Sequence, residues 1–525
     1  VDLLLTGTRI HDGNGGSAFP GGVLVRDARI REVFRGGVPD EVHADELVDV
    51  ADHVICPGFV DLHTHSDVSV LSEPGCVSAV GQGITTQLVG HCGFSAAPVT
   101  ASTVTDMARE EPVFGFPGVE WSWRDLDGYL AAVRARQPAT NILSLVGHNT
   151  VRRLVVGGAA RTARDDETRK MAAHVDATLD AGAVGLSTGL SYAPGLYADE
   201  SELHELARVA QRRGRRYHTH MRYGGMPIRV ALAEAIRVAE ATGVGVNVSH
   251  LYPSPADSPG EAEQLLNDID GARARGLDVT FDLTVFCRGG GAWLQALPGW
   301  ARSGGVAATV ERLADRRERG RMLADLDNRG IDWDDQLIVK IADSKNVAVI
   351  GRSIGAVARD RGERPSETAL QLVAEDGQFW VAPHVKRQPD LDLLITHPCC
   401  VPVTDGMAAH PVAHRDLGIM PKTFGTMPMV LGSYVRDRGV LRLEDAIHKL
   451  TRLAADRAGL IDRGLLAPGY AADVVVFDPG RIANNATDDD PTAPPTGVEH
   501  VMVNGRWAVR HGSLTGDRPG QVLAA

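Results

Sequence analysis

A chain of 525 residues with 43% apolar and 23% charged residues and 58 glycines is long enough for a barrel with insertions and an accessory domain, and its composition excludes a disordered or fibrous protein. A formal net charge of -13 without a lysine- or arginine-rich block excludes a nucleic-acid surface, which needs clustered cations against phosphate; Arg212-Arg213 and Arg215-Arg216 read as solvated helix ends. Six irregularly spaced cysteines, Cys399-Cys400 among them, do not make a disulfide scaffold and read as reduced thiols.

The first 55 residues read as short strands between turns, in DLLLTGTRIHDG, GGVLVRDARIREVF and LVDVADHVIC. The opening lacks the basic start and small-residue cleavage site of a secretory leader, and no stretch reaches about 18 uninterrupted apolar residues, so a cytoplasmic protein without a membrane span is expected. The same strand-and-turn style returns in residues 465–525, with YAADVVVFDP and HVMVNGRWAV. Both ends are expected to assemble one small β-sandwich, with residues 56–464 inserted between them.

That middle alternates short apolar runs with amphipathic helical patterns such as ESELHELARVAQRRG and PIRVALAEAIRVAEATG. Eight runs read as strands: VICPGFVDLHTH, TTQLVGHC, NILSLVGHN, AVGLSTGL, RYHTHMR, GVNVSH, LDVTFDL and CVPVTDG. The expectation is an α/β fold, a (β/α)₈ barrel whose active site gathers where the strands end. The stretch of about 287–395 is too long for an ordinary crossover and reads as an inserted lid subdomain over the barrel mouth.

Polar residues collect at those strand ends. His63 and His65 close the first strand on one face and can share a metal, and Cys92 closes the second within Gly90-His91-Cys92-Gly93. His220 and His250 close strands five and six, completing a nitrogen and sulfur donor set suited to zinc, with His218 an open question beside them. Asp405, in Val403-Thr404-Asp405-Gly406 after strand eight, is placed to accept a proton from activated water and pass it to a leaving nitrogen. No glycine-rich phosphate loop sits between a strand and a helix, and Met420, Met427 and Met429 read as packing residues.

In PGFVDLHTHSD, VGHCGFSAAP, GLSTGLSYAPGLYADESEL, YHTHMR, VSH, VTDG and the long tail from FGTMPMVLGSY to DVVVFDP, the chain resembles the amidohydrolase superfamily and more closely its N-acyl-D-amino-acid deacylase branch. The resemblance implies a tight zinc held by Cys92, His220 and His250, a weaker second site at His63, His65 and Cys92, and Asp405 as acid/base. It also implies a small N-acylated substrate; Tyr192, Arg222, Tyr252 and Arg288 are expected substrate contacts because they follow strands four to seven.

The chain departs from the branch near the substrate: Tyr223-Gly224 replaces Asn-Glu, Leu251-Tyr252 replaces His-Lys, Asp282-Leu283-Thr284-Val285-Phe286 replaces an aromatic-proline run, and His410-Pro411-Val412 replaces His-Pro-Arg. Two other readings stay open. One is a cyclic-amide or natural-product-tailoring hydrolase, although AVGLSTGL lacks the bridging lysine of ring-opening relatives; the other is a non-catalytic metal-binding barrel. The sequence leaves the oligomeric state unassigned.

Overall fold

The computed structural model describes residues 2–524 apart from 111–113, 115, 117, 223–225, 256 and 342–343. The Tyr223-Gly224 departure lies outside the described residues.

The two ends of the chain meet in one nine-stranded sheet, the small β-sandwich domain. The joint is the antiparallel pair Val54–Pro57 and Val474–Phe477, in which Val475 faces Cys56 and Val476 faces Ile55. Leu3–Ile10, Phe19–Arg26 and Arg29–Arg35 extend the sheet on one side, and Val498–Val503, Arg506–Arg510 and Ser513–Leu514 on the other. Alternate residues along these strands, including Leu3, Leu5, Val23, Val25, Val474 and Val476, share one core, as the two-residue period of a strand requires. The last residues leave this domain: Gln521 accepts from the Ile142 amide at 2.8 Å, and Leu523 donates back at 2.9 Å, tying the tail to the barrel.

The barrel strands are Phe59–Asp61, Ile84–Val89, Asn141–Ser144 continued by Val146–Gly147, Gly185–Gly189, Arg216–His220, Val246–Val248, Val279–Leu283 and Cys400–Pro402. They are the eight segments read as strands, and each pairs in parallel with the next. The ring closes where Asp405 donates its amide to the His63 carbonyl at 2.9 Å and His65 donates to Gly406 at 2.7 Å. Wrapped by helices, the strands are buried on both faces and show no alternation of buried and exposed residues. The helices start where the sequence offers caps: Asp199 accepts from the Glu202 amide at 2.9 Å ahead of Glu200–Arg212. Gly243, at φ 71°, closes Ile228–Thr242 in the left-handed turn that disfavours a side chain.

Between strands seven and eight, Gly291–Ala292, Ile338–Ile341 and Phe379–Val381 form a small sheet with its own core around Trp293, Phe379, Leu370 and Met322. The insertion ends earlier than the sequence pattern implied. Gln388–Thr396 is a helix packed against Glu261–Ala274 and strand eight, because two parallel neighbours need a helical crossover and this one supplies it. Among the described residues no helix is long and apolar enough to cross a membrane.

Candidate active site

Cys92, His250 and Asp405 end strands two, six and eight in left-handed backbone, at φ 53°, 38° and 45°. Non-glycine residues rarely adopt this region, and holding three of them there turns their side chains into the barrel mouth. The Cys92 sulfur lies 3.4 Å from His63 Nε2 and 3.6 Å from His250 Nε2, and it also hydrogen bonds His65 and His220. His220 Nδ1 is 2.9 Å from His250 Nε2. Asp405 Oδ1 sits 3.1 Å from His65 Nε2 and 3.5 Å from His63 Nε2, and its other oxygen accepts from Lys422.

The electrostatics follow from these contacts. Burial alone would push the Cys92 thiol up, but the charge on His63 and hydrogen bonds from His220, His250 and His63 hold it well below the ordinary thiol value. Burial opposes charge on His65, yet hydrogen bonds to Asp405 and Cys92 raise it to about 9. Burial also works against an ionised Asp405, and Lys422 and His65 outweigh it, keeping the carboxylate well below the usual range. The Cys92 sulfur, the Asp405 carboxylate and the imidazole nitrogens are donors for a metal cation, whose binding would displace the protons these rings carry.

The donor set fits zinc. Bonds of about 2.0–2.1 Å to nitrogen and about 2.3 Å to sulfur at tetrahedral angles separate a nitrogen and a sulfur ligand by about 3.6 Å. The Cys92 to His63 and His250 separations of 3.4 and 3.6 Å lie at that value. His63, Cys92 and His250 form one group with ligand atoms within 4.8 Å of one another, and His63, His65 and Asp405 form another.

Two functional residues escaped the sequence reading. Asp282, fully buried on strand seven, faces His63 Nδ1 with both oxygens at 3.3 Å and accepts the His250 amide at 2.6 Å and Asn247 Nδ2 at 2.8 Å. It holds the direction of the His63 ring, as carboxylates behind metal-binding histidines do. Its only sequence signal was an acidic residue on a strand otherwise suited to the core. Lys422, which neutralises Asp405, comes from a helix far along the chain and carried no signal.

A cavity of about 370 Å³ opens over Cys92, His65, His220, His250 and Asp405. Tyr192 and Tyr252 line it, Tyr192 with its ring 4.6 Å from that of His220. Arg222 and Arg288 are placed elsewhere. Arg222 is held by Glu234 at 3.1 Å and by the carbonyls of Leu196 and Ala198, because a guanidinium behind strand five finds a carboxylate on the next helix. Arg288 pairs with Asp488 at 2.8 Å and Asp335 at 3.2 Å, bracing the insertion against the segment before the last strands. His218 is buried behind the site, its ring edge-on to His91, which in turn stacks on His63 at 4.0 Å.

Residues 46–509 match the model of an amidohydrolase family. The chain is 32% identical to an N-acyl-D-glutamate deacylase of Alcaligenes xylosoxydans xylosoxydans, covering 100% of this chain and 96% of the relative. It is 31% identical to a D-aminoacylase of the same organism, over 100% and 97%. Among solved structures, the N-acyl-D-glutamate deacylase of Bordetella bronchiseptica, in complex with zinc and a phosphonate mimic of the tetrahedral intermediate, superposes with a TM-score of 0.84 at 30% identity, covering 100% of both chains. A sequence match that runs from the first strands to the last, with the same fold beneath it, makes this chain a member of the amidohydrolase family.

Proposed function

We propose that the protein is a zinc-dependent amidohydrolase that deacylates an N-acyl-D-amino acid or a closely related N-acyl metabolite. The observation that carries this reading is the convergence of Cys92, His65, His220, His250 and Asp405 at the floor of one cavity, with His63 buried against Cys92.

Cys92, His220 and His250 would hold the tighter zinc, and His63 and His65 with Cys92 a second one. Zinc there supplies Lewis acidity that polarises the scissile carbonyl and makes water a nucleophile near neutral pH. Asp405, ionised and 3.1 Å from His65, takes the proton of the attacking water. As the carbonyl carbon gains its new C–O bond and the C–N bond breaks, Asp405 delivers that proton to the departing nitrogen, giving a carboxylate and a free amine. Lys422 keeps Asp405 ionised between turnovers, and Asp282 keeps His63 aimed. Tyr192 and Tyr252 stand at the cavity wall as substrate contacts. Strand four, Gly185–Gly189, carries no lysine, so a ring-opening reading gains no support from it. The six unpaired thiols support a reducing, cytoplasmic compartment.

The test is Asp405→Asn. Retained zinc with turnover reduced by about 10²–10⁴-fold is the expected result. Unchanged turnover would remove Asp405 from the chemistry.

A further inference from the structure

Tyr252, two residues after His250, lines the cavity wall. Above the Tyr252 ring, 4.6 Å from its centre, stands the ammonium of Lys386, which comes from the insertion. We propose that Lys386, supplied by the insertion, is the cationic anchor of this cavity and holds a carboxylate of the substrate.

The backbone fixes Lys386 at the barrel mouth. The amides of Val385 and Lys386 both donate to the Cys287 carbonyl, at 3.0 and 3.1 Å, pinning the end of the insertion to its beginning immediately beyond strand seven. Gly289 clears the space beside it: a Cβ there would lie 2.5 Å from the Val385 side chain and 3.6 Å from Lys386 Nζ. Lys386 is only 5% exposed, yet its ammonium lines the cavity.

An ammonium has three donors. Lys386 gives one to the Phe286 carbonyl at 3.0 Å and rests on the Tyr252 face, and among the described residues no carboxylate pairs with it. The neighbouring Lys422 differs, since it is committed to Asp405. Burial, with Lys422 adding to it, outweighs the pull of Asp405 and Cys287 and brings the Lys386 ammonium down to about 7, so a counter-charge beside it would stabilise the cation. A substrate carboxylate entering the cavity would supply that charge and accept the remaining hydrogen bonds. Arg222 and Arg288, the cations the sequence offered for this task, are already spent on Glu234, Asp335 and Asp488.

This inference rests on the deacylase reading, and its test separates the two. The zinc-loaded enzyme is assayed on whichever N-acetyl-D-amino acid it turns over fastest and on the C-terminal carboxamide of the same compound. A wild-type kcat/KM favouring the acid by about 10–100-fold is expected, the worth of a charge-assisted hydrogen bond. In Lys386→Met that preference collapses to about threefold or less, mainly through a higher KM, whereas Lys386→Arg retains most of it. A wild type indifferent to the carboxylate, or a Lys386→Met enzyme that keeps the full preference, overturns the assignment while leaving the deacylase reading intact. A wild type inactive on every N-acetyl-D-amino acid removes the N-acyl-D-amino-acid reading and the carboxylate-anchor assignment with it. Should Lys386→Met fail to fold, Lys386→Gln and the arginine variant carry the same comparison.

Discussion

Asp282→Asn preserves size and shape but exchanges one carboxylate oxygen for an amino group. In the native site Oδ1 accepts the His250 amide at 2.6 Å, Oδ2 accepts Asn247 Nδ2 at 2.8 Å, and both face His63 Nδ1 at 3.3 Å. Whichever way the new amide turns, its NH₂ confronts one of those two donors, and that donor loses its acceptor where water cannot replace it. A buried polar group left unpaired costs about 1–3 kcal/mol. His63 also loses the anion that orients it toward Cys92 and Asp405, and removing such a carboxylate weakens metal binding by about 10–100-fold. Zinc affinity of the variant, measured by competition with a chromophoric chelator, should fall by that factor, and denaturant unfolding of the metal-free protein should report the stability loss. An affinity within about twofold of the wild type would refute the view that Asp282 positions His63 for metal.

Arg222→Met should leave Glu234 nearly buried without its partner and cost about 2–3 kcal/mol in chemical denaturation, with KM unchanged within about twofold; a large KM effect at native stability would return Arg222 to the substrate. Glu202, on the helix Glu200–Arg212, accepts from Arg152 at 2.9 Å and faces His148 at 2.6 Å, all three side chains being buried. Burial pushes its carboxyl up, but His148 and Arg152 outweigh it and leave the native group below its ordinary 4.5. A lowered native value means that the stabilisation is complete above about pH 4.5 and is lost as pH falls through the native value. Glu202→Gln should therefore cost about 3 kcal/mol or more at neutral pH, with a flatter stability profile below pH 4.5; equal acid sensitivity in both proteins would contradict the assignment.

What the sequence made legible was whatever lay within one strand and its end. Eight short strand-like runs, most finishing on polar or ionisable residues and alternating with amphipathic helical patterns, were enough to read the barrel. His63 and His65 were readable as partners because two residues along a strand share a face, and Cys92, His220, His250 and Asp405 because each follows a strand directly. Contacts between distant segments left no such trace. Lys422 reaches Asp405 across a seventeen-residue separation through a helix, and Lys386 reaches Tyr252 from a separate subdomain. Asp282 looked like a substitution in the substrate wall because its partners, His63, Asn247 and the His250 amide, sit on other strands. Arg222 and Arg288 looked free because local sequence does not show Glu234, Asp335 or Asp488 beside them. The end of the insertion was misjudged for a related reason: Gln388–Thr396 continues without a break from the insertion, and only its packing on strand eight identifies it as barrel.

The central claim is that the cysteine and histidine cluster holds zinc for hydrolysis of an acyclic N-acyl bond. The most direct measurement strips the protein with a chelator, returns zinc in defined steps, and follows bound metal and amine release together on N-acyl-D-amino acids, their L counterparts and cyclic amides. The account predicts that activity on the D series is lost with the metal and recovers as about one zinc per chain rebinds. Zinc that rebinds at that stoichiometry while the D series stays uncleaved and a cyclic amide opens would contradict it.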